Sequence, residues 1–292
     1  MPTLPAADIR RAVRIGLQED LAAGDLTTTA LFPTARPARA SIVAQQPLVV
    51  AGLAAAVQTF LLTDSTLKLR PRIRDGQDAR RGATLLDIEG DGRSILQAER
   101  VALNFLQHLS GIATLTRTFC RAVRGYPAKI LDTRKTLPGW RALQKWAVAL
   151  GGGVNHRLSL GDGVLIKDNH LALMNSPSAV RDAIQSARRR AAVQTPIIVE
   201  VESLAEVTQA LAGRPDIILL DNMSPALVRR AVKLIRGKAL VEVSGGITLK
   251  NVRAMAAAGA DRISIGALTH SAPATALSLV LTPVRSGKRR TR

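Results

Sequence analysis

The second half of the chain places Arg134, Lys135 and Lys167 together with Glu200, Asp221, the triplet Ser244-Gly245-Gly246 and Gly266 just beyond short apolar runs. The runs are Lys129-Ile130-Leu131, Val164-Leu165-Ile166, Ile197-Ile198-Val199, Ile217-Ile218-Leu219-Leu220, residues 240–243 and Ile263-Ser264-Ile265. Cations at such positions suit carboxylates and phosphates through charge-assisted hydrogen bonds. Glycine-bearing loops let backbone N–H groups approach a phosphate closely. Carboxylates suit sugar hydroxyls, a Mg²⁺ ion or a developing positive charge. Taken together the set points to a polyanionic small molecule. Singly, each residue has a plain alternative: Asp221 could cap the helix that follows it, and Glu202, two residues from Glu200, could be merely solvated.

Continuous apolar runs alternating with helix-like stretches predict a parallel sheet covered on both faces. If the strands curl into a barrel, their C-terminal ends converge on one rim, where catalytic groups gather. Six runs in this stretch are too few for a complete eight-fold barrel, so the expectation is an open one. The first part of the chain reads differently. Ile9, Val13, Leu17 and Leu21 recur every four residues and predict a helix that Asp8 can cap. Strands are expected over 41–43, 67–73 and 84–88, with a helix over 52–62. After Gly90-Asp91-Gly92 a long helix carries Ile95, Ala98, Ala102, Phe105, Leu106 and Leu109 on one face, with its end expected near Gly111. A helix over 140–150 presents Trp140, Leu143, Ala147 and Leu150 and stops at Gly151-Gly152-Gly153, followed by Asn155-His156-Arg157. The expected fold class is α/β, an open α/β barrel with an N-terminal α+β sandwich domain. Residues 1–111 form the sandwich, 112–270 the barrel, and 271–292 pack back on the sandwich.

The 292 residues are 47% hydrophobic, which suits a folded protein with a buried core, and carry a formal net charge of +19. Aromatics are only 2%, so base-stacking platforms are scarce and a nucleic-acid partner is not expected. Arg188-Arg189-Arg190 reads as an exposed helix end, and the tail Lys288-Arg289-Arg290-Thr291-Arg292 as disordered. One cysteine, Cys120, rules out a disulfide framework and a cysteine-based zinc cluster and reads as packing. His108 reads as packing, and His170 and His270 as structural hydrogen-bonders; no pair has metal-ligand spacing. No apolar run approaches the roughly twenty residues of a membrane span, and no secretory leader is evident, so the expected address is the cytoplasm.

From Asp132-Thr133-Arg134-Lys135-Thr136-Leu137-Pro138-Gly139 onward the chain resembles the quinolinate phosphoribosyltransferase family. The likeness covers nearly the whole chain. It includes Glu19-Asp20, Gly24-Asp25-Leu26-Thr27-Thr28, Glu99-Arg100 and Leu109-Ser110-Gly111-Ile112-Ala113-Thr114. It continues through Gly151-Gly152-Gly153-Val154-Asn155-His156-Arg157, Ile166-Lys167-Asp168-Asn169-His170, Leu220-Asp221-Asn222, Ser244-Gly245-Gly246 and Gly266-Ala267-Leu268-Thr269-His270. The order and spacing of these stretches together are specific. Trp140 and Trp146 depart from the smaller aliphatic and tyrosine-like residues the family pattern leads one to expect, and Ala276 stands where an acidic residue is common.

The resemblance implies an open barrel of seven strands and a Mg²⁺-assisted reaction. Quinolinate and phosphoribosyl pyrophosphate give nicotinate mononucleotide, pyrophosphate and CO₂, a step of NAD biosynthesis. It implies a homodimer in which Arg100 reaches the site from the partner chain. It further implies that Arg100, Arg134, His156, Arg157 and Lys167 bind the quinolinate carboxylates and that Lys135 meets the pyrophosphate. Ser244, Gly245, Gly246, Gly266 and Ala267 hold the 5′-phosphate, Thr133 and Ile265 are further substrate-binding residues, and Glu200 and Asp221 contact the ribose, directly or through Mg²⁺. Lys135, Lys167, Glu200 and Asp221 form the implied catalytic set. Mg²⁺ is held mainly through substrate, with Glu200 and Asp221 as available ligands. A sister group associated with molybdenum uptake shares much of the motif set, and a catalytically silent relative is the other alternative; the intact Ile166-Lys167-Asp168-Asn169-His170 and the full charged set favour the quinolinate enzyme.

Overall fold

The structure, a computed structural model, describes residues 6–284. In chain order the elements are α1 (Ala6–Leu21), α2 (Leu26–Leu31), β1 (Pro37–Ala44), β2 (Leu48–Val49), α3 (Leu53–Thr63), β3 (Lys68–Pro71), β4 (Asp78–Ala79), β5 (Thr84–Asp91) and α4 (Gly92–Ala122). Then come β6 (Lys129–Leu131), α5 (Arg141–Gly151), β7 (Val164–Ile166), α6 (Asp168–Met174), α7 (Ala179–Arg190), β8 (Ile197–Val201), α8 (Leu204–Gly213) and β9 (Ile217–Asp221). The last are α9 (Pro225–Ile235), β10 (Leu240–Ser244), α10 (Val252–Ala257), β11 (Arg262–Ser264), α11 (Ala267–His270) and β12 (Leu277–Pro283). The chain divides into two compact units. The first holds residues up to Leu115 with Leu137–Gly151 and the segment from Ala272; the second holds Thr116–Thr136 and Gly152–Ser271. The basic tail from Lys288 lies outside the described residues.

In the first unit an antiparallel sheet runs in the order β12-β1-β5-β3. Alternation along β1 turns Ala38, Ala40, Ile42 and Ala44 inward, where they meet Phe60, Leu85, Leu86, Ile95 and Leu106 in one core. Arg39 and Ser41 alternate to the other face and bond Glu89 and Asp87 of β5. α1 buries Ile9 and Val13 as the periodicity predicts. Asp8 does not cap it: the helix already runs at Ala6, so Asp8 stands in the first turn and pairs with Arg11. Asp25 is the true cap nearby, its carboxylate accepting from Thr28 N at 2.9 Å to start α2.

The stop expected near Gly111 is absent, because α4 continues to Ala122. Gly111 serves a different purpose: a Cβ there would lie 2.1 Å from Pro273 O, so the missing side chain lets the segment before β12 lie against the helix. α5 groups with this unit, where Trp140 at its start stacks on Phe105 at 4.6 Å between ring centroids. Gln144, fully buried, accepts from Leu137 N through its side-chain oxygen and meets His108 Nε2 at 2.7 Å.

The second unit is built on a six-stranded parallel sheet in the order β6-β11-β10-β9-β8-β7. β8 and β9 are apolar on both faces, as strands covered on both sides must be. The intervening helices start on clear signals: Ser203 and Glu206 form a reciprocal capping box for α8, and Ser224-Pro225 opens α9. Among the described residues the seventh strand is not a strand. Its place beside β6 is taken by a single parallel bridge between Leu131 and Val154. Gly151-Gly152-Gly153 before it and Asn155-His156-Arg157 after it leave only one residue able to pair in extended form.

Candidate active site

Parallel strands deliver their C-terminal ends to one rim of the second unit, and nearly every residue singled out in the sequence arrives there. Thr133, Arg134 and Lys135 follow β6; His156 and Arg157 follow the Val154 bridge; Lys167 follows β7. Glu200 is the last residue but one of β8 and Asp221 the last of β9, Ser244 ends β10, and Ile265, Gly266 and Ala267 follow β11. Register fixes the neighbours. Ser244 pairs with Asp221, and Ile166, just before Lys167, pairs with Val199, just before Glu200. Lys167 Nζ accordingly donates to Glu200 Oε2 at 2.6 Å. Arg100 is the exception, standing exposed on α4 within the first unit.

The cationic part of the rim is electrostatically loaded. Burial, with the charge of Arg134 adding to it, pulls the Arg157 guanidinium below its ordinary pKa; Asp162 opposes that shift. Arg157 donates one N–H to Gly163 O at 3.0 Å. Its Nε, like that of Arg134, is buried with no hydrogen-bond partner. Two half-buried guanidiniums with unspent donors form a receptor for an anion, since leaving such donors unpaired is costly.

The glycine loop is pre-shaped. Gly245 and Gly246 have φ of +85° and +58°, a conformation that other residues adopt only with strain. Gly245 lies so close to Asn222 that a Cβ would come within 2.2 Å of its Oδ1. Asn222 N donates to Ser244 O at 3.0 Å, and Asn251 Nδ2 donates to Gly246 O at 2.9 Å. Two asparagines thus brace the loop, one at Ser244 and one at Gly246. Gly266 leaves space beside Lys135, whose Cδ would be 3.0 Å from a Cβ there, while Thr269 Oγ1 donates to Lys135 O at 2.7 Å. Ile265 is buried, its N donating to Leu131 O at 2.9 Å; it positions the turn that Gly266 and Ala267 enter. Thr133 Oγ1 accepts from Lys135 N at 3.0 Å.

Asp221 caps nothing: Ser224 Oγ accepts from Leu227 N and starts α9, leaving Asp221 at the rim with Asn222 Nδ2 at 2.6 Å. Glu202 lies beyond β8 and is exposed. His170 is a structural hydrogen-bonder, its Nδ1 accepting from Lys167 N at 2.9 Å; His270 is exposed, with Nδ1 2.6 Å from Ser271 Oγ. Burial lowers the pKa of His108 and raises that of Cys120, which fits packing roles for both.

Sequence reasoning missed Glu242. It is fully buried on β10, yet accepts from Arg262 Nε at 2.8 Å, from His156 Nε2 at 3.0 Å and from Ser264 Oγ. Burial alone would push its carboxyl up; the hydrogen bonds from His156 and Ser264 and the charge of Arg262 hold it below the usual range. The signal was present: a lone carboxylate inside Val241-Glu242-Val243 must have buried partners.

An open parallel α/β barrel whose rim gathers arginines, lysines, two carboxylates and a braced glycine loop defines an enzyme for polyanionic substrates. Residues 25–110 match the family described as quinolinate phosphoribosyl transferase, N-terminal domain, and residues 112–280 match its C-terminal domain family. The nicotinate-nucleotide pyrophosphorylase (carboxylating) of Mycobacterium leprae is 44% identical over 273 residues, covering 90% of this chain and 93% of that protein. The solved structure of NadC from Streptococcus pyogenes superimposes with a TM-score of 0.91 at 39% identity, covering 97% of this chain and all of that one. The nicotinate-nucleotide pyrophosphorylase from Francisella tularensis gives 0.89 at 37% identity, covering 96% of this chain and 98% of that chain. The chain belongs to the quinolinate phosphoribosyl transferase family. No helix among the described residues is long and apolar enough to cross a membrane.

Proposed function

We propose that the rim divides its work between two anionic substrates in the family's reaction. The enzyme transfers the phosphoribosyl group of phosphoribosyl pyrophosphate to quinolinate with decarboxylation, giving nicotinate mononucleotide, pyrophosphate and CO₂. The observation that carries the residue assignment is the pair of buried, unspent Nε donors on Arg134 and Arg157. Quinolinate offers two adjacent carboxylates to such donors, and bidentate guanidinium–carboxylate contacts are among the stronger hydrogen bonds. Lys167, paired with Glu200, is the further cation assigned to quinolinate.

Lys135 faces the pyrophosphate. Thr133 shapes its turn, and the loop 244–246 with residues 265–267 takes the sugar 5′-phosphate through backbone N–H groups. Glu200 and Asp221 line the ribose. As the C1′–O bond to pyrophosphate breaks, positive charge grows on the sugar, and these carboxylates stabilise it. The pyridine nitrogen donates its lone pair to C1′. The resulting pyridinium accepts the electrons of the C2–carboxylate bond as CO₂ leaves, and a proton from solvent completes the ring. No step calls for a general base.

Mg²⁺ fits as a companion of the substrate. Among the described residues no cluster of three or more His, Cys, Asp or Glu side chains could hold a metal. The ion would be carried by phosphate oxygens, with Asp221 and Glu200 as the carboxylates in reach, and when bound it would neutralise charge on the leaving pyrophosphate.

A homodimer with Arg100 donated across its interface completes the reading. Arg100 is exposed and belongs to the first unit, whereas the rim belongs to the second. A cytoplasmic address goes with it, since a single cysteine needs no oxidising compartment. Two experiments test the assignment. Arg134→Ala is expected to abolish measurable quinolinate saturation; an unchanged apparent affinity contradicts it. Inactive Arg100→Ala and Arg134→Ala chains, unfolded together and refolded, are expected to regain about a quarter of wild-type turnover, because half the two-fold dimers are mixed and each has one intact site. No regain places Arg100 in its own chain's site.

A further inference from the structure

We infer that Glu242 is a positioning residue for the quinolinate half of the site, acting through His156 on Arg157; this rests on the assignment of Arg157 to quinolinate. Arg157 follows the weakest member of the sheet, where Val154 makes one bridge and no strand. The segment therefore needs other anchors. Beyond the bridge's own bond from Val154 N to Ile130 O at 2.8 Å, His156 N donates to Asp132 Oδ1 at 2.8 Å. The second further anchor is the imidazole. Its Nε2 lies 3.0 Å from Glu242 Oε1, and its Nδ1 accepts from Arg157 N at 2.7 Å.

These two contacts fix the tautomer: Nδ1 must carry a lone pair, so Nε2 carries the proton and donates to Glu242. Both ring nitrogens are then engaged within the protein. Through these two contacts His156 orients the Arg157 backbone. Glu242 sits in the second layer, on the same strand face as Ser244, and register places Arg262 of β11 directly beside it. Arg262 and Ser264 take the remaining capacity of the carboxylate. A hydrophobic residue would fill a strand centre at lower desolvation cost, and a buried ionic group at this place gains its use from the geometry it imposes.

Wild-type turnover with quinolinate and phosphoribosyl pyrophosphate is measured first, since its absence would sink the functional reading itself. Glu242→Gln, His156→Gln and the double variant are then compared. All three are expected to raise KM for quinolinate about tenfold, the double no more than the singles because they act through one chain. KM for phosphoribosyl pyrophosphate is expected to stay within about twofold, since the braced 244–246 loop is separate from this relay. An unchanged quinolinate KM in Glu242→Gln, multiplying effects in the double variant, or equal rises in both KM values overturns the inference alone. Ser264→Ala removes one hydrogen bond to Glu242 and keeps the Arg262 ion pair and the His156 hydrogen bond. It should raise quinolinate KM about two- to fourfold. If Glu242→Gln does not fold, an unchanged KM in folded Ser264→Ala also overturns it.

Discussion

Alanine at Gly245 and at Gly246 should fail in different ways. Both positions have positive φ, +85° and +58°, so each substitution carries a backbone penalty of roughly 1–2 kcal/mol. Their surroundings differ. A Cβ at Gly245 would lie 2.2 Å from Asn222 Oδ1 and 2.7 Å from Asn222 N; the side chain could rotate, but the backbone nitrogen is tied to Ser244 O. Relieving that overlap adds roughly 1–3 kcal/mol. A Cβ at Gly246 meets nothing within 4 Å. At roughly 2–4 °C per kcal/mol, Gly246→Ala should lower Tm by about 2–8 °C and Gly245→Ala by clearly more. Gly246→Ala, though well folded, should still raise KM for phosphoribosyl pyrophosphate about tenfold, equivalent to about 1.4 kcal/mol, because its methyl keeps a phosphate from the loop's N–H groups. Thermal unfolding and initial rates on the two variants decide the matter. Equal losses of Tm would refute the role given to Asn222. An unchanged KM in Gly246→Ala would refute the phosphate assignment.

Other predictions concern the first unit. Gly111→Ala, which in an unhindered helix gains up to about 1 kcal/mol, should here destabilise because the methyl would strike Pro273 O; a raised Tm contradicts this. Asp25→Ala should cost about 1 kcal/mol by uncapping α2, seen as a lowered urea midpoint, and an unchanged midpoint denies the cap a role. Asp75 accepts from Leu53 N at the start of α3, and burial raises its pKa from 3.8 to about 6 despite backbone hydrogen bonds. The folded state therefore holds this proton more tightly than the unfolded chain. Its contribution is full below about pH 4 and is lost as pH rises through about 6, at most about 3 kcal/mol at about 1.4 kcal/mol per unit. The stability of the protein relative to Asp75→Asn should fall across that window and be level above it; a pH-independent difference contradicts the assignment.

Much of the second unit was legible because its signals are local. Each apolar run is a strand of the parallel sheet, and each polar residue after it reaches the rim by strand direction alone. What escaped depends on contacts distant in sequence. Gly111 has the look of a helix stop, yet its use is fixed by Pro273, and no local pattern reveals that approach. Asp8 and Asp221 both carry capping chemistry. The helix start at Ala6 and the better-placed Ser224 decide against them. The seventh strand shrank to Val154 because glycines on one side and the His156-Arg157 turn on the other leave nothing to pair. Glu242 was readable as an anomaly within an apolar strand, but its partners on the His156 segment and β11 come together only in the folded sheet.

The most direct test is the reaction itself. Purified protein is incubated with quinolinate, phosphoribosyl pyrophosphate and Mg²⁺, with each omitted in turn, and nicotinate mononucleotide and CO₂ are followed together. Equimolar formation of both, dependent on quinolinate and phosphoribosyl pyrophosphate and lost without the divalent cation, is the predicted result. Folded protein that forms neither product, or that consumes nicotinate in place of quinolinate, would contradict the account.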